Sequence, residues 1–311
     1  MPDFQLETPV VFIIFKRPDT TEKVFEAIRQ AKPPKLLVIA DGSRSDKPGE
    51  AEKCAAAREI IDRVDWDCEI LKNYSEINLG CAKRVSSGLD WVFEQVPEAI
   101  ILEDDCLPHP TFFRFCEELL KRYRYDERIA SISGQNVQLG RNKTEYSYYF
   151  SRYPHIWGWA TWRRSWQYYD FDMKLWPEIK AKNLLRNILQ DPEAKKCWSE
   201  IFQSTYEHDK RIDNWDFQWT FSCWVESKLS ILANVNLISN TGFGLESTNT
   251  NNEKSLYSNL AVEAIEFPMK HPPYVIRDTQ ADRFTQKTLF NYLGIIKKIG
   301  VKIERFWEIW S

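Results

Sequence analysis

Three adjacent acids, Glu103, Asp104 and Asp105, are the residues of this chain whose types and spacing most directly suggest chemistry. They follow the apolar run at 99–102, which predicts a buried strand with the acids at its C-terminal end. In an extended strand, Glu103 and Asp105 would share one face while Asp104 turns to the other. Crowded carboxylates repel one another unless a cation neutralises them, and Mg²⁺ and Mn²⁺ prefer oxygen ligands. The triplet therefore predicts a metal site, with an acidic turn that caps the next helix as the alternative.

Ligand-type residues also follow the other strands predicted in the first third of the chain. Each of them alone is more simply explained as a loop residue, and a glycine there can serve only to supply a positive φ. In open α/β sheets, however, ligands bind outside the carboxyl ends of the strands. Their recurrence at successive strand ends predicts one shared site, and the residues are Arg17, Asp41, Asn78 and Gly80.

These residues must be positioned by strands that alternate with helices. Such alternation predicts an α/β fold with a mostly parallel, doubly wound sheet. The predicted strands are 10–15, 35–40, 68–71 and 99–102; the predicted helices are 19–31, capped by Asp19, and 81–93. A later helix is predicted at 213–227, followed by short strands at 229–232 and 235–238.

The segment from residue 146 to residue 176 is dense in aromatic residues. Aromatic rings pack protein cores, but they also stack on the apolar faces of sugars. Most of these rings are expected in the core. Trp157 and Trp159 are the predicted exceptions, because Gly158 between them would let a ligand approach the backbone closely.

Composition excludes several classes of protein. The chain has 311 residues, 43% of them hydrophobic, which suffices for one large core with an appendage or for two domains. A net charge of -3 argues against a general nucleic-acid binder. Seven scattered cysteines favour a reducing compartment over a disulfide framework or a zinc site. The first residues do not resemble a secretory signal, and no long apolar run suggests a membrane span, so a cytoplasmic protein is expected.

The C-terminal segment has its own character. Apolar residues recur at intervals of three and four between Leu289 and Trp310, with basic residues mostly on the other face. This pattern predicts an amphipathic basic helix, weakened by Gly294 and Gly300. Two interpretations remain open: the helix packs on its own domain, or it lies in an anionic membrane surface on the inner face of the membrane.

The ordered motifs resemble the GT-A glycosyltransferases that use nucleotide-sugar donors. The similarity is greatest to bacterial family 2-like sugar transferases and to N-acetylglucosaminyltransferase I, whose metal motif is also Glu-Asp-Asp. It covers about residues 8 to 250, and the motifs that keep the family's order are Glu103-Asp104-Asp105, Pro110–Phe113, Trp157-Gly158-Trp159, Trp215-Asp216 and Asn240–Gly244.

This resemblance implies a GT-A fold, a Rossmann-like and mostly parallel sheet flanked by helices, with a helical C-terminal appendage. The catalytic domain would span 1–250. Its nucleotide-sugar-binding half would lie at about 8–107 and its acceptor half, with the base, at about 108–250. Residues 251–311 would form the C-terminal extension with the amphipathic helix.

The resemblance also implies roles for the donor-binding residues. Asp41 would contact the nucleobase, and Arg17 and Arg84 would lie near the nucleotide. Glu103 and Asp104 would face the ribose and the donor sugar. The predicted donor site further includes Asn78, Gly80, Trp157, Gly158 and Trp159.

The same resemblance implies which residues bind the metal and which residue acts as the catalytic base. Asp105 would coordinate Mn²⁺ or Mg²⁺ bridging the diphosphate, and Asp216 would be the catalytic base, with Asp213 as its rival. Many relatives carry a histidine after the Gly-Phe-Gly loop, where this chain offers Asn249. A third protein ligand for the metal is therefore an open question.

The resulting hypothesis is a metal-dependent, inverting hexosyl- or N-acetylhexosaminyltransferase. It would use a UDP-sugar and a glycan or lipid-linked acceptor, in bacterial polysaccharide or glycolipid synthesis. One alternative is a catalytically degenerate nucleotide-sugar- or glycan-binding module, which the missing histidine would suit. A sugar nucleotidyltransferase is the other, although such an enzyme ordinarily has a glycine-rich phosphate loop near the first strand and this sequence has none there.

Overall fold

The computed structural model describes residues 4–141, 144–208, 213–242 and 260–290. Within these residues eight strands form one sheet in the order β3-β2-β1-β4-β8-β6-β9-β7, and β10 pairs with β5 in a small second sheet. The strands are β1 (Val10–Ile14), β2 (Lys35–Ala40), β3 (Glu69–Tyr74), β4 (Glu98–Glu103), β5 (Cys106–Pro108), β6 (Ile129–Ser133), β7 (Tyr148–Ser151), β8 (Trp159–Trp162), β9 (Leu229–Ala233) and β10 (Ile238–Asn240). The helices are α1 (Pro18–Ala31), α2 (Glu50–Ile61), α3 (Cys81–Gln95), α4 (Thr111–Arg122), α5 (Arg163–Trp166), α6 (Trp176–Ala181), α7 (Leu185–Ile188), α8 (Pro192–Tyr206), α9 (Asp216–Val225) and α10 (Thr279–Thr285), which continues into a π-helical turn at Gln286–Phe290.

The first four β-strands of the chain run parallel and carry helices on both faces. Alternate side chains of β1 enter different cores, because neighbouring residues of a strand point to opposite faces. Phe12 joins the core under α1 and α4, whereas Val11 joins the core formed with α3, α8 and α9. The α/β class predicted from the alternation of strands and helices is confirmed.

Beyond β4 the sheet becomes mixed. β8 is antiparallel to β4 and to β6, β9 is parallel to β6, and β7 at the edge is antiparallel to β9. The pairing of β10 with β5 places Asn240 opposite Cys106, directly after the acid triplet. As a result, Thr241 donates its backbone N–H to the carbonyl of Asp105 at 2.8 Å.

Local details differ from the predictions at several element ends. The first helix begins at Pro18, so Asp19 lies in its first turn and is not its cap. Asp104 and Asp105 form a turn between β4 and β5, because the chain must reverse there to pair with β10. The alternation expected of an extended Glu-Asp-Asp segment is therefore absent, and all three acids line one cleft.

The described part of the C-terminal segment packs on its own domain. Phe290 is buried, with its ring 4.5 Å from Trp198 and 5.4 Å from Tyr153, and Asp282 accepts a hydrogen bond from Ser151 at the end of β7. Residues 291–311, which carry most of the predicted amphipathic helix, lie outside the described residues, as does Asn249. In the part of the chain that is described, no helix is both long and apolar enough to cross a membrane.

Candidate functional site

A cleft of about 220 Å³ opens at the carboxyl ends of β1, β2 and β4, beside the first turn of α3. Carboxyl ends of parallel strands meet at one edge of a sheet, so residues distant in sequence converge there. The residues predicted for the site that line this cleft are Arg17, Asp41, Asn78, Gly80, Arg84, Glu103, Asp104, Asp105 and Asp213.

Arg17 pairs with two acids of the turn. One terminal nitrogen of Arg17 contacts Asp104, and the other lies 2.9 Å from Oδ2 of Asp105. The backbone N–H of Phe15 also donates to Asp104, at 3.2 Å. Burial would lower the pKa of Arg17, but the Asp104 and Asp105 carboxylates raise it above its ordinary value. The guanidinium thus supplies the positive charge that crowded acids need.

Glu103 is the least compensated member of the triplet. Burial raises the pKa of this carboxyl to about 8, and the neighbouring Asp105 and Asp104 add to the shift. Its Oε1 is buried, without a hydrogen-bond partner among the described residues. Such a group gains free energy by binding a proton, a cation or a ligand hydroxyl.

A divalent cation at this turn would need oxygen ligands from outside the chain as well. No cluster of three or more side chains able to hold a metal occurs in the described ranges. A side chain at position 242 would come within 2.1 Å of Oδ2 of Asp105, so the backbone of Gly242 already closes one side of that carboxylate. Within the triplet, Asp105 is paired with Arg17, and Glu103 keeps one oxygen without a hydrogen-bond partner in the described residues.

Asp41 organises the loop that follows β3. Its carboxylate accepts backbone N–H groups of Leu79 at 2.9 Å and Gly80 at 3.1 Å, and the side-chain amide of Asn78 at 3.0 Å. Burial raises the pKa of Asp41, and these donors oppose the shift. The carboxylate therefore holds Asn78 and Gly80 at the rim of the cleft.

Asp213 caps α3 from a distant part of the chain. Its two carboxylate oxygens accept the backbone N–H groups of Cys81 and Ala82, each at 2.9 Å. Gly80 occupies the N-cap position with φ of 80°, and a side chain there would come within 2.7 Å of Oδ2 of Asp213. Both oxygens of Asp213 are thus engaged in satisfying the first turn of a helix.

Asp216 has a different environment from Asp213. It lies in the first turn of α9, is 7% exposed, and its Oδ1 has no hydrogen-bond partner in the described ranges. Burial raises its pKa to about 7. Its charge contributes to the raised pKa of Glu103, so the two carboxyls lie within electrostatic reach.

The Trp157-Gly158-Trp159 motif lies away from this cleft. The Trp159 ring is buried, 5.4 Å from the ring of Trp215. The space that a side chain at Gly158 would need is filled by Ile238 of β10, 2.2 Å away. Gly158 therefore permits close packing of β10. The sequence analysis assigned this space to a ligand, but Ile238 fills it. Trp157 is half-buried against the two cores.

One charged residue of the cleft wall, Arg44, was not predicted from the sequence. Arg44 lines the cleft and donates its Nε to Glu50 at 2.9 Å, and Lys16 reaches the same carboxylate at 3.0 Å. These cations hold the pKa of Glu50 at about 2, although burial opposes them. Arg84 is buried and donates to the carbonyl of Asn73 at 2.7 Å. Arg44 could have been predicted from its position three residues after Asp41, which directly follows β2.

Comparison with known proteins gives limited information. No family model matches the chain, and no curated protein matches it. A crystal structure of GalNAc-T7 with UDP, GalNAc and Mn²⁺ aligns with TM-score 0.40 and 13% identity, covering 74% of this chain and 43% of that one. The chain thus spans less than half the length of that protein.

Two further solved structures align at similar levels. An apo UDP-glucose pyrophosphorylase gives TM-score 0.36 and 10% identity, covering 72% of this chain and 90% of that one. A cytidylyltransferase from Leptospira borgpetersenii serovar Hardjo-bovis (strain JB197) gives TM-score 0.30 and 7% identity, covering 52% and 63%. Similarity at this level carries no information on the reaction.

Proposed function

We propose that this chain is a metal-dependent glycosyltransferase that moves a sugar from a nucleotide-diphosphate sugar, most simply a UDP-sugar, to an acceptor hydroxyl with inversion. The observation that carries the proposal is the cleft in which Glu103, Asp104 and Asp105 meet Arg17 at the carboxyl ends of parallel strands. Acids and fixed cations side by side suit a ligand that brings both phosphates and sugar hydroxyls.

The donor would be held by residues of the cleft wall. Arg17 and Arg44, which line the cleft, would face the phosphates, since fixed guanidinium groups match phosphate oxygens. Asp41 would contribute to the nucleobase pocket together with Arg84. Asp41 is held in place by the loop after β3, and Arg84 by the carbonyl of Asn73 in β3.

The acidic turn would serve the sugar and the cation. Glu103 and Asp104 would accept hydroxyl groups of the ribose and the donor sugar, and Asp105 would hold Mn²⁺ or Mg²⁺. The cation, when bound, would neutralise the charge that develops on the departing diphosphate.

Asp216 would be the general base. A carboxyl with a pKa near neutrality can take the proton of the acceptor hydroxyl at the pH of the cell and contributes about 10²-fold or more in rate. Asp213 is less suited, because both of its oxygens cap α3. Direct attack with one base would invert the anomeric configuration.

The acceptor would be a glycan or a lipid-linked sugar of surface polysaccharide or glycolipid synthesis. The transferred sugar would be a hexose or an N-acetylhexosamine. The proposed location is the cytoplasm, with peripheral contact at the inner membrane face through the C-terminal segment.

A second candidate is a nucleotide-sugar-binding module without catalysis. It is favoured by one observation, that no cluster of three metal-ligating side chains occurs in the described residues. Metal-dependent release of UDP from a UDP-sugar separates the two, because a pure binder would release none.

The first test is a thermal-shift screen of nucleotide-sugars, each with and without Mn²⁺. A ligand that binds only the folded protein raises the melting temperature. We expect one UDP-sugar to raise it in the presence of Mn²⁺, and Asp105→Ala to abolish the Mn²⁺-dependent part. The matched control is Asp67→Ala, an exposed acid far from the cleft. If no nucleotide-sugar shifts the melting temperature, the transferase proposal fails.

A further inference from the structure

A second cleft, with a cavity of about 110 Å³, lies apart from the cleft around Arg17 and Glu103, which is called the donor cleft after its proposed role. It opens at the carboxyl end of β7, between the first turn of α8 and α10. β7 runs opposite to β4 in the sheet, so its carboxyl end lies at the edge opposite the acid triplet. The two clefts share no lining residue.

Cations dominate the lining of this second cleft. Arg152, Arg277, Arg283 and Lys287 line it together with two acids, of which Asp282 is only 2% exposed. One oxygen of Asp282 serves two arginines, lying 3.2 Å from Nε of Arg152 and 3.4 Å from Nε of Arg277. One buried carboxylate therefore compensates two guanidinium groups.

The second acid of the cleft is engaged elsewhere. Asp191 caps α8, because its carboxylate accepts the backbone N–H groups of Glu193 at 2.8 Å and Ala194 at 3.1 Å. Arg283 and Lys287 have no ion pair among the described residues, and Asp282 is the only one for Arg277. Burial and the nearby Arg152 both lower the pKa of Arg277, as expected where cations exceed acids.

Basic side chains that outnumber the acids around a cavity are suited to an anion with several oxygens. Guanidinium groups bind phosphate in a fixed fork geometry, and lysine adds a mobile point charge. Two large apolar side chains stand on the surface just before Arg277: Tyr274, 48% exposed, and Ile276, 66% exposed. Exposed apolar residues that neighbour basic residues in the chain would favour the headgroup of an anionic phospholipid as the source of such an anion.

We propose that the cleft formed by Arg152, Arg277, Arg283 and Lys287 binds a phosphate group. The source is either the headgroup of an anionic phospholipid or a free phosphate. The site is independent of the glycosyltransferase proposal, since it shares no residue with the donor cleft.

The test uses the full chain and two probes, inorganic phosphate and vesicles. Phosphate binding is measured by calorimetry, and vesicle binding by sedimentation with phosphatidylcholine vesicles that contain or lack phosphatidic acid. The variant is Arg277→Gln/Arg283→Gln, and the control Lys23→Gln/Arg63→Gln removes the same charge from α1 and the end of α2, far from the cleft.

We expect the wild type and the control to bind phosphate alike, and the Arg277→Gln/Arg283→Gln variant to bind at least about tenfold more weakly, as the loss of charge-assisted hydrogen bonds implies. Sedimentation with phosphatidic acid vesicles that is also lost in the variant would identify the lipid source. Phosphate binding without any vesicle binding would identify a soluble ligand.

The proposal is overturned if the wild type binds no phosphate, or if the variant and the control bind it equally. Should Arg277→Gln impair folding, Arg283→Gln/Lys287→Gln is the second variant, because neither side chain has an internal ion pair in the described residues. Equal binding by that variant and the control would overturn the proposal in the same way.

Discussion

Arg17 stands between Asp104 and Asp105 where the predicted metal site would place a cation. Its guanidinium pairs with both carboxylates, although burial still raises the pKa of Asp104. Burial also raises the pKa values of Glu103 and Asp216, to about 8 and about 7. Arg17 therefore already provides part of the positive charge that a bound cation would bring to these acids. A divalent cation bound as proposed would compete with Arg17 for these acids.

We predict that Arg17→Gln lowers the free energy of unfolding by about 3 kcal/mol at neutral pH, because it leaves buried carboxylates without their partner. The loss should shrink in acid, where these carboxyls are protonated. Mn²⁺ should restore more stability to the variant than to the wild type. Urea denaturation with and without Mn²⁺ measures these effects.

The control for Arg17 is Arg63→Gln. Arg63 pairs with Glu22 on the surface, where an ion pair contributes about 0–1 kcal/mol. Equal losses in the two variants, or an equal response to Mn²⁺ in Arg17→Gln and the wild type, would contradict a shared role of Arg17 and the cation.

Asp216 and Asp213 are separated by a second pair of variants. Asp216→Asn should reduce turnover by about 10²-fold or more while donor binding stays unchanged, because only the proton acceptor is lost. Wild-type turnover should rise with pH as Asp216 ionises, with a midpoint at about 7. Asp213→Asn should retain turnover and lose stability. The reverse pattern in a UDP-release assay would move the base to Asp213.

At the scale of secondary-structure elements, α3 depends on a residue that belongs to another part of the chain. Its N-cap position holds Gly80, which has no side chain, and Asp213 supplies the missing acceptors just before α9. The loop that lines the donor cleft is thereby tied to the helix that carries Asp216. A change at this junction should affect both donor binding and the position of the base.

Gly80→Ala tests this junction. The substitution combines a positive φ with a contact of 2.7 Å to Asp213, so we expect it to cost on the order of 2–3 kcal/mol and to weaken donor binding. Gly49→Ala is the matched control, an N-cap glycine of α2 with φ of 77° and no atom within 4 Å of the added carbon. It should cost only about 1–2 kcal/mol, for backbone strain alone. Equal losses of stability for the two variants in thermal unfolding would show that Asp213 moves aside at no cost in free energy.

At the scale of the whole molecule, the sheet carries two clefts of different character on opposite edges. The donor cleft holds an excess of acids around Arg17, and the second cleft holds an excess of cations around Asp282. Asp41, Asp104 and Asp105 of this cleft are buried, and Glu103 has a buried oxygen without a hydrogen-bond partner in the described residues, which costs folding free energy. Stability is therefore expected to depend on pH through this site.

We predict that the free energy of unfolding falls as pH rises from about 4 to about 8. Glu103 and Asp216 have folded-state pKa values of about 8 and about 7, above their ordinary values of 4.5 and 3.8. In that window the folded protein binds more protons than the unfolded chain, so raising the pH favours unfolding. Urea denaturation across the window measures the slope.

The double variant Glu103→Gln/Asp216→Asn should flatten this dependence, because neither replacement can ionise. Its stability should exceed that of the wild type by on the order of a few kcal/mol at pH 8, and the difference should vanish near pH 4. If the free energy of unfolding depends on pH equally in the double variant and the wild type, these two carboxyls are not the cause of the dependence.

The α/β class and most of the wall of the donor cleft could be predicted from the sequence. Buried parallel strands appear as continuous apolar runs, and their carboxyl ends share one edge, so Arg17, Asp41 and the acids near Glu103 were predictable neighbours. Their roles in donor binding and catalysis stay predictions, as does the division into domains. The local pattern was sufficient there because strand direction alone brings these residues together.

Which side chains are engaged and which remain available depends on the tertiary packing. Asp213 caps a helix 132 residues earlier in the chain, and Ile238 fills the space beside Gly158. The cations of the second cleft meet through Asp282, which accepts from Ser151 across 131 residues. Contacts of such sequence separation leave no periodicity in the chain, because they depend on how the elements pack and not on the local pattern within any of them.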